Sequence, residues 1–312
     1  ESGMARLGKI NPLALEEHAA LEERQKYLAE QLADLKRTRE DLLGIVRTID
    51  KRVQEVMTSA IEDVSERFAE VFARLFPGGQ GRLVLTDDDV AVKDSLYTAG
   101  RRGVAGTVLL EKLLGAAARR GDDLASLAAL GRRLNDQCHS IGVALGACTV
   151  PAAGKPSFTL ADDEMEFGVG IHGEPGIERR AFKGLDDTVT QMFATLIEHG
   201  AYHRTLRLWN AASASWDEVT QEKQPLAKGD RVIALVNNLG SVPLSECYGV
   251  YHALSRCCAD FGISIARSLV GNFCTSLDMQ GLSITLLKAN DATLELFDAP
   301  VRTPGWTNGG RA

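Results

Sequence analysis

A run of large aliphatic residues at a seven-residue spacing constrains this chain more than any other feature. Leu21, Leu28, Leu35, Leu42, Ile49 and Val56 recur every seven residues. Leu32, Val46, Val53 and Ala60 fill the companion seam four residues on, which Gln25 and Arg39 interrupt. The intervening positions are rich in Glu, Lys, Arg and Gln. Such a repeat winds one apolar stripe along an α-helix and leaves the rest to solvent. We therefore expect one continuous, coiled-coil-like helix over residues 13–76. Asn11-Pro12 should open it, since proline suits a first helical turn. At 1.5 Å per residue such a helix is about 90 Å long and cannot bury its seam on itself. It needs a second helix, from another copy of the chain or from a helical partner. No second heptad run occurs in the sequence. The charge runs read as helix surface, and His18 with them.

Beyond Leu75-Phe76-Pro77-Gly78-Gly79, a helix stop and turn, the periodicity changes. Residues 82–86 are a short strand candidate. Helices are expected over 106–120 and 124–136, separated by the polar turn Gly121-Asp122-Asp123. A buried strand over 141–150 leads into a loop over 151–156. A helix over 185–198, alternating strands over 204–209 and 216–220, and a continuous apolar strand over 231–236 follow. A helix over 244–261 and strands over 263–270 and 283–287 complete the pattern. Alternating strands and helices predict a layered α/β domain with a mixed sheet. Two domains suit 312 residues, and the change of pattern divides them at 1–87 and 88–312.

A net charge of −7 does not favour a phosphate-backbone surface, so no nucleic-acid partner is expected. No apolar run approaches the ~20 residues of a membrane helix, and Glu1-Ser2-Gly3-Met4 lacks the basic flank and apolar core of a signal peptide. Six cysteines occur, none in a Cys-x-x-Cys pair and most within apolar runs. They read as buried free thiols of a cytoplasmic protein, not as disulfides or a zinc site.

The candidate site is Phe167-Gly168-Val169-Gly170-Ile171-His172-Gly173-Glu174-Pro175-Gly176. Met165 and Phe167 suggest a strand leading into it. Glycines at this density allow positive φ and close backbone approach to a small guest. They would leave an accessible His172 on a bare loop, with Glu174 as its orienter and Gly170, Gly173 and Gly176 supporting the turn. Gly168, Gly170 and Gly173 also match Gly-x-Gly-x-x-Gly, a dinucleotide signature only where a helix opens on it. Glu174-Pro175-Gly176 reads as a turn instead, so no nucleotide site is assigned. Of the other histidines, His139 sits at a helix-to-strand boundary and reads as structural. His252 falls in an apolar helix and reads as interior. His199 and His203 could share a helix face, but Gly200 suggests a helix end and no third ligand offers itself, so no metal site is assigned. The run Asp87-Asp88-Asp89 reads as a solvated loop rather than a cation site.

From about residue 88 to 306 the chain resembles the substrate-binding subunit of dihydroxyacetone kinase. The matching blocks are Asp88-Asp89-Val90-Ala91-Val92-Lys93-Asp94-Ser95, Ala99-Gly100-Arg101-Arg102-Gly103-Val104-Ala105-Gly106-Thr107 and Ile141-Gly142-Val143-Ala144-Leu145. Cys148-Thr149-Val150-Pro151-Ala152-Ala153-Gly154-Lys155-Pro156 and the His172 stretch follow, then Val236-Asn237-Asn238-Leu239-Gly240, Thr275-Ser276-Leu277-Asp278-Met279 and Asp298-Ala299-Pro300. The resemblance implies a phosphotransferase (glycerone kinase) family and a covalent role for His172: its imidazole adds to the ketone carbonyl as a hemiaminal. It also implies a partner subunit or domain that holds the phosphoryl donor, Mg-ATP or a phosphorylated carrier; no cofactor is assigned to this chain. In the family the acid–base work falls to a histidine in Gly-Ser-Gly-His-Glu-Pro and an acid in Lys-Asn-Tyr-x-Gly-Asp. Neither motif occurs in this sequence, where the heptad helix stands upstream of residue 88. The chain alone is therefore expected to be inactive or very weak.

Residues 7–86 resemble a second family. Asn11-Pro12-Leu13-Ala14-Leu15-Glu16-Glu17 and Val71-Phe72-Ala73-Arg74-Leu75-Phe76-Pro77-Gly78-Gly79 look like the end of the coiled-coil arm, and the start of the C-terminal head lobe, of a bacterial structural-maintenance-of-chromosomes ATPase. That ATPase needs a phosphate loop and a Leu-Ser-Gly-Gly signature, and neither occurs here. The two resemblances meet at Thr86-Asp87-Asp88-Asp89-Val90 and together suggest a chimeric reading frame. The alternative function is a coiled-coil interaction protein with an inert appended α/β domain.

Overall fold

A computed structural model of the chain describes residues 13–79, 81, 83, 85–92, 101–210 and 215–308. Asn11-Pro12, expected to open the long helix, lies outside the described residues, as does the stretch 93–100 within the matched blocks. The chain divides into two compact units, Glu1–Glu55 and Val56–Ala312.

Helix α1 runs over Ala14–Leu75. It carries the heptad seam on its surface: Leu21 and Leu35 are 65% and 67% exposed, and Leu28, Leu42, Ile49 and Val56 are exposed as well. Pairs spaced three apart, Asp34–Arg37, Arg52–Glu55 and Arg67–Glu70, line the polar side. Exposed as they are, such pairs are screened by water and contribute little to stability. Of the strand expected over 82–86, Leu83, Leu85 and Thr86 lie in no ladder, and positions 82 and 84 lie outside the described residues. Among the described residues, the first bridge after α1 is Asp89 to Ser140.

The α/β unit continues with α2 (Gly106–Arg120), α3 (Leu124–Asp136), β1 (Cys138–Gly146), β2 (Glu164–Phe167), β3 (Glu178–Ala181), α4 (Leu185–Glu198), β4 (Tyr202–Asn210), β5 (Ser215–Lys223) and β6 (Arg231–Asn238). It ends with α5 (Leu244–Phe261), β7 (Ser264–Gly271), β8 (Gln280–Lys288), α6 (Asp291–Asp298), β9 (Val301–Arg302) and β10 (Thr307–Asn308). Six strands form one mixed sheet in the order β3-β2-β1-β8-β6-β7, while β4 and β5 form a separate hairpin. Within this sheet β6 and β7 pair in parallel, joined by α5; β1–β2, β2–β3, β1–β8 and β6–β8 are antiparallel.

The central strands of the sheet are buried on both faces. Val232, Ala234 and Val236 of β6 pack with Val189, Met192 and Leu196 of α4 and Val250 and Leu254 of α5. Ile233 and Leu235 point the other way, into Leu109 and Leu113 of α2, Leu134 of α3 and Phe297 of α6. Burial on both sides is why β6 reads as an unbroken apolar run rather than an alternation. At about 1.5–3 kcal/mol per fully buried aliphatic side chain, these two layers dominate the stability of the unit.

The run Asp87-Asp88-Asp89, expected to be a solvated loop, is buried throughout, at 2%, 0% and 0% exposure. Asp87 pairs with Lys223 of β5 and accepts from Asn135 of α3, both at 2.7 Å. The Asp88 carboxylate accepts from the backbone N–H of Val104 and Gly106, at the start of α2, and from the Ser140 hydroxyl. Asp89 pairs with Arg102. A buried carboxylate needs such partners, and each finds its own on a different part of the fold.

Candidate functional site

Strand β2 sits between β1 and β3, with Phe167 opposite Val143 on one side and Glu178 on the other. The chain leaves β2 as a loop over 168–177 whose base is closed by hydrogen bonds. Gly168 and Val169 donate to the Gly142 carbonyl at 2.8 and 3.2 Å, and Ile177 donates to the Phe167 carbonyl at 2.8 Å. Glycine is required by this geometry at several positions, among them Gly168, at φ +77°. Gly173 has φ +81° and its missing side chain would come within 2.6 Å of Cys148 Sγ; a Cβ on Gly176 would fall on the Phe167 carbonyl. Glu166 holds the descending limb, accepting from Gly176 N–H at 3.0 Å while pairing with Arg179 at 3.2 Å.

At the tip the His172 side chain is 78% exposed. Glu174 folds back over the space that a side chain on Gly170 would fill. One carboxylate oxygen accepts from the His172 backbone N–H at 2.8 Å; the other lies 3.4 Å from His172 Nδ1. Glu174 thus stands where an orienter of the ring would stand. Burial raises its carboxyl, but hydrogen bonds from its own and the His172 N–H groups, with the charges of His172 and Arg102, outweigh this and hold it below the usual carboxylate range. A carboxylate facing Nδ1 favours the tautomer protonated there, whose lone pair lies on Nε2, the nitrogen that could attack an electrophile. Beneath the loop, the buried Arg102 donates from Nη2 to the Gly168 carbonyl at 2.6 Å and from Nε to Asp89 at 2.7 Å. Burial pushes the Asp89 carboxyl up to about 6, and the Arg102 cation acts against that rise.

The loop runs on to β3 and opens no helix, so the Gly-x-Gly-x-x-Gly match is a tight turn between antiparallel strands. His139 and His199 meet each other rather than the loop. His139 is fully buried in β1, and its Nδ1 lies 3.0 Å from His199 Nε2. Burial, then the Lys223 charge, drives the His139 imidazole well below its ordinary range; burial, then Arg101, brings His199 down to about 4. His199 caps α4 while His203 lies in β4 beside Glu222, so the two share no helix face. His252, expected in the interior, is exposed on the outer side of α5. His18 is exposed on α1, 3.7 Å from Glu22. All six cysteines are free thiols; Cys257 and Cys274 are half-buried and the others buried.

Arg102 and Asp89 escaped the sequence reading as site residues. The available signal was the apolar run Val90-Ala91-Val92 directly after three aspartates, followed by the pair Arg101-Arg102. Acidic residues so embedded are placed for burial, and buried carboxylates call for a cation.

Residues 69–305 match the Dak1 domain family. Over 221 residues the chain is 70% identical to the dihydroxyacetone-binding subunit DhaK of the PEP-dependent dihydroxyacetone kinase of Escherichia coli (strain K12), covering 71% of this chain and 62% of that protein. It is 39% identical over 224 residues to the dihydroxyacetone-binding subunit DhaK of a PTS-dependent dihydroxyacetone kinase of Listeria innocua, covering 72% and 61%. The chain therefore spans about three fifths of the length of these relatives. Among solved structures, the dihydroxyacetone kinase operon co-activator Dha-DhaQ superposes with a TM-score of 0.61 at 30% identity, covering 76% of this chain and 66% of that one. The dihydroxyacetone kinase from C. freundii in complex with AMP-PNP and Mg2+ gives 0.58 at 26% identity, covering 77% and 39%. Among the described residues no helix is long and apolar enough to cross a membrane.

Proposed function

The chain belongs to the Dak1 domain family, and from that premise we propose that its α/β unit is the substrate-presenting part of a dihydroxyacetone (glycerone) kinase, with His172 as the covalent anchor of dihydroxyacetone. The observation that carries this reading is an imidazole held clear of the protein on a glycine loop, with Nδ1 turned to Glu174. Nε2 attacks the ketone carbon, a C–N bond forms, and the carbonyl π electrons move to oxygen. The alkoxide takes a proton from water while the Nδ1 proton passes through Glu174 to solvent, leaving a neutral hemiaminal. No atom or electron is unaccounted for, and no cofactor enters.

Anchoring is not turnover. A tether binds ground state and transition state alike, so it does not by itself lower the chemical barrier. The phosphoryl group would come from a partner subunit carrying Mg-ATP or a phosphorylated carrier. The boundary between residues 87 and 88 belongs to the same proposal, with 1–87 as a chromosome-maintenance-like coiled-coil arm that finds its seam partner in another helix. Carbon-labelled dihydroxyacetone tests the anchor: NMR should show its carbonyl signal converted to that of a tetrahedral carbon, reversibly, and His172→Ala should abolish the conversion. Equal conversion by the His172→Ala protein would remove His172 from the role.

A further inference from the structure

We infer that Arg102 and Asp89 are positioning residues of the His172 loop, setting both the shape of the loop and the charge that Glu174 presents to the imidazole. This inference rests on the reading of His172 as the anchor, and it concerns residues that never touch the substrate.

Burial separates the supporting pair from the ring above it. The Arg102 side chain is 7% exposed and the Asp89 side chain 1%, whereas the His172 ring they support is 78% exposed. Asp89 grips Arg102 twice through its side chain, from Nε at 2.7 Å and from Nη2 at 2.6 Å. It also donates its backbone N–H to the Arg102 carbonyl at 3.1 Å, and its second oxygen accepts from Ala91 N–H at 3.0 Å. A guanidinium fixed this way has little rotamer freedom left, and its planar fork aims its remaining N–H groups in set directions. Nη2 reaches the Gly168 carbonyl at 2.6 Å. Gly168 has φ +77° and begins the loop. Nη1 lies 3.2 Å from the point that a side chain on Gly170 would occupy, the same point that the Glu174 carboxylate crowds. One cation therefore touches the first residue of the loop and stands behind the carboxylate at its tip.

The charges alternate along this line: Asp89, Arg102, Glu174, then the ring of His172. Glu174 alone would favour the imidazolium, which has no lone pair with which to attack. Arg102 draws on the same carboxylate and leaves it facing Nδ1, 3.4 Å away, with less pull on a second proton. The remaining neighbours do not substitute for it. Cys148 faces the loop at Gly173 as a buried thiol, and Glu166 is engaged by Arg179 and Gly176 N–H on the descending limb.

The test uses the full chain labelled with 15N in its histidines, with carbon-labelled dihydroxyacetone as the probe. The 15N signals report the His172 tautomer without ligand; the carbon signal reports the adduct. Wild type should show the Nδ1–H tautomer. Arg102→Met should weaken the adduct about tenfold, as expected for one lost charge-assisted hydrogen bond, and should move the acid-side loss of the adduct to higher pH. Arg102→Lys, which keeps the charge and loses the fork, should restore the pH dependence more than the amplitude. Glu174→Gln should move the acid-side loss to lower pH and erase the tautomer preference. Because Glu174 sits on an open loop, that variant carries the test if Arg102 variants fail to fold. A weaker adduct with unchanged tautomer and unchanged pH dependence in Arg102→Met would make Arg102 mere scaffolding and overturn the inference. So would an unchanged tautomer in Glu174→Gln. A tautomer that responds to Arg102 in a protein that forms no adduct would sink the anchor while leaving the positioning intact.

Discussion

Removing the Lys223 ammonium should be among the most damaging single changes outside the apolar layers. Lys223 is 1% exposed at the end of β5. Its Nζ pairs with Asp87 at 2.7 Å and donates to the Asp87 and Cys138 carbonyls at 3.0 Å each. It therefore ties the β4–β5 hairpin to the start of β1 and to the segment entering the sheet. Lys223→Met keeps most of the side-chain volume, so the packing cost is small. It takes the cation away from a carboxylate that is itself 2% exposed, and breaking a buried pair by removing one partner costs about 3–5 kcal/mol. For a unit of this size each kcal/mol lowers Tm by about 2–4 °C, giving a drop of about 6–20 °C. Urea unfolding at pH 7 followed by tryptophan fluorescence is the suitable assay. Trp209, Trp216 and Trp306 all lie beyond residue 200, so the signal follows the α/β unit and not α1. Adding Asp87→Asn to Lys223→Met should recover part of the loss, because the uncompensated charge goes with it. A loss under about 1 kcal/mol, or strict additivity in the double variant, would refute the claim that desolvated charge sets the cost.

Other expectations follow from the same structure. His199, lowered to about 4 by burial and Arg101, stays neutral in the fold where the unfolded chain takes up a proton. Its contribution is present above about pH 6.5 and is lost as pH falls through 4. Asp89, raised to about 6, changes stability in the opposite sense over an overlapping range, so the comparison must be a difference. The stability gap between wild type and His199→Gln should shrink on acidification from pH 6.5 to 4, and a constant gap would contradict it. Residues 1–76 should self-associate or recruit a helical partner through the exposed leucine seam; analytical ultracentrifugation finding a fully helical monomer at low concentration would count against this. With a competent donor subunit and its magnesium nucleotide, the chain should phosphorylate dihydroxyacetone poorly, since losing general acid–base help costs about 10²–10⁴ in rate. Turnover equal to that of a full-length relative would show that other residues supply that help.

Periodicity made much of the architecture legible. The helices α2 to α5, the β4–β5 hairpin and β6 follow from spacing and turn residues, because packing on one face or two leaves a direct imprint on residue order. Elements too short for a period did not show themselves. The four residues of β3, Glu178-Arg179-Arg180-Ala181, have no apolar alternation, and α6 spans two turns around Leu294, Leu296 and Phe297. The glycines around His172 announced a bare loop because φ and clearance are local properties. Arg102 left no comparable mark: its partners Asp89 and Gly168 lie 13 and 66 residues away. A side chain whose meaning is set by contacts made after folding cannot be read from its neighbours in sequence. For the same reason the three aspartates looked like a solvated loop.

The three adjacent carboxylates also act as a register key. Asp87 faces Lys223 and Asn135, Asp88 faces the start of α2 and Ser140, and Asp89 faces Arg102. Successive residues thus answer to different neighbours, and none has slack. Deleting or inserting one residue among them would offer each neighbour the carboxylate meant for the next, at the wrong angle, in a place water does not reach. Change upstream of Asp87 carries no such penalty from this key. The key itself begins at Asp87, and it is from there that the frame must hold.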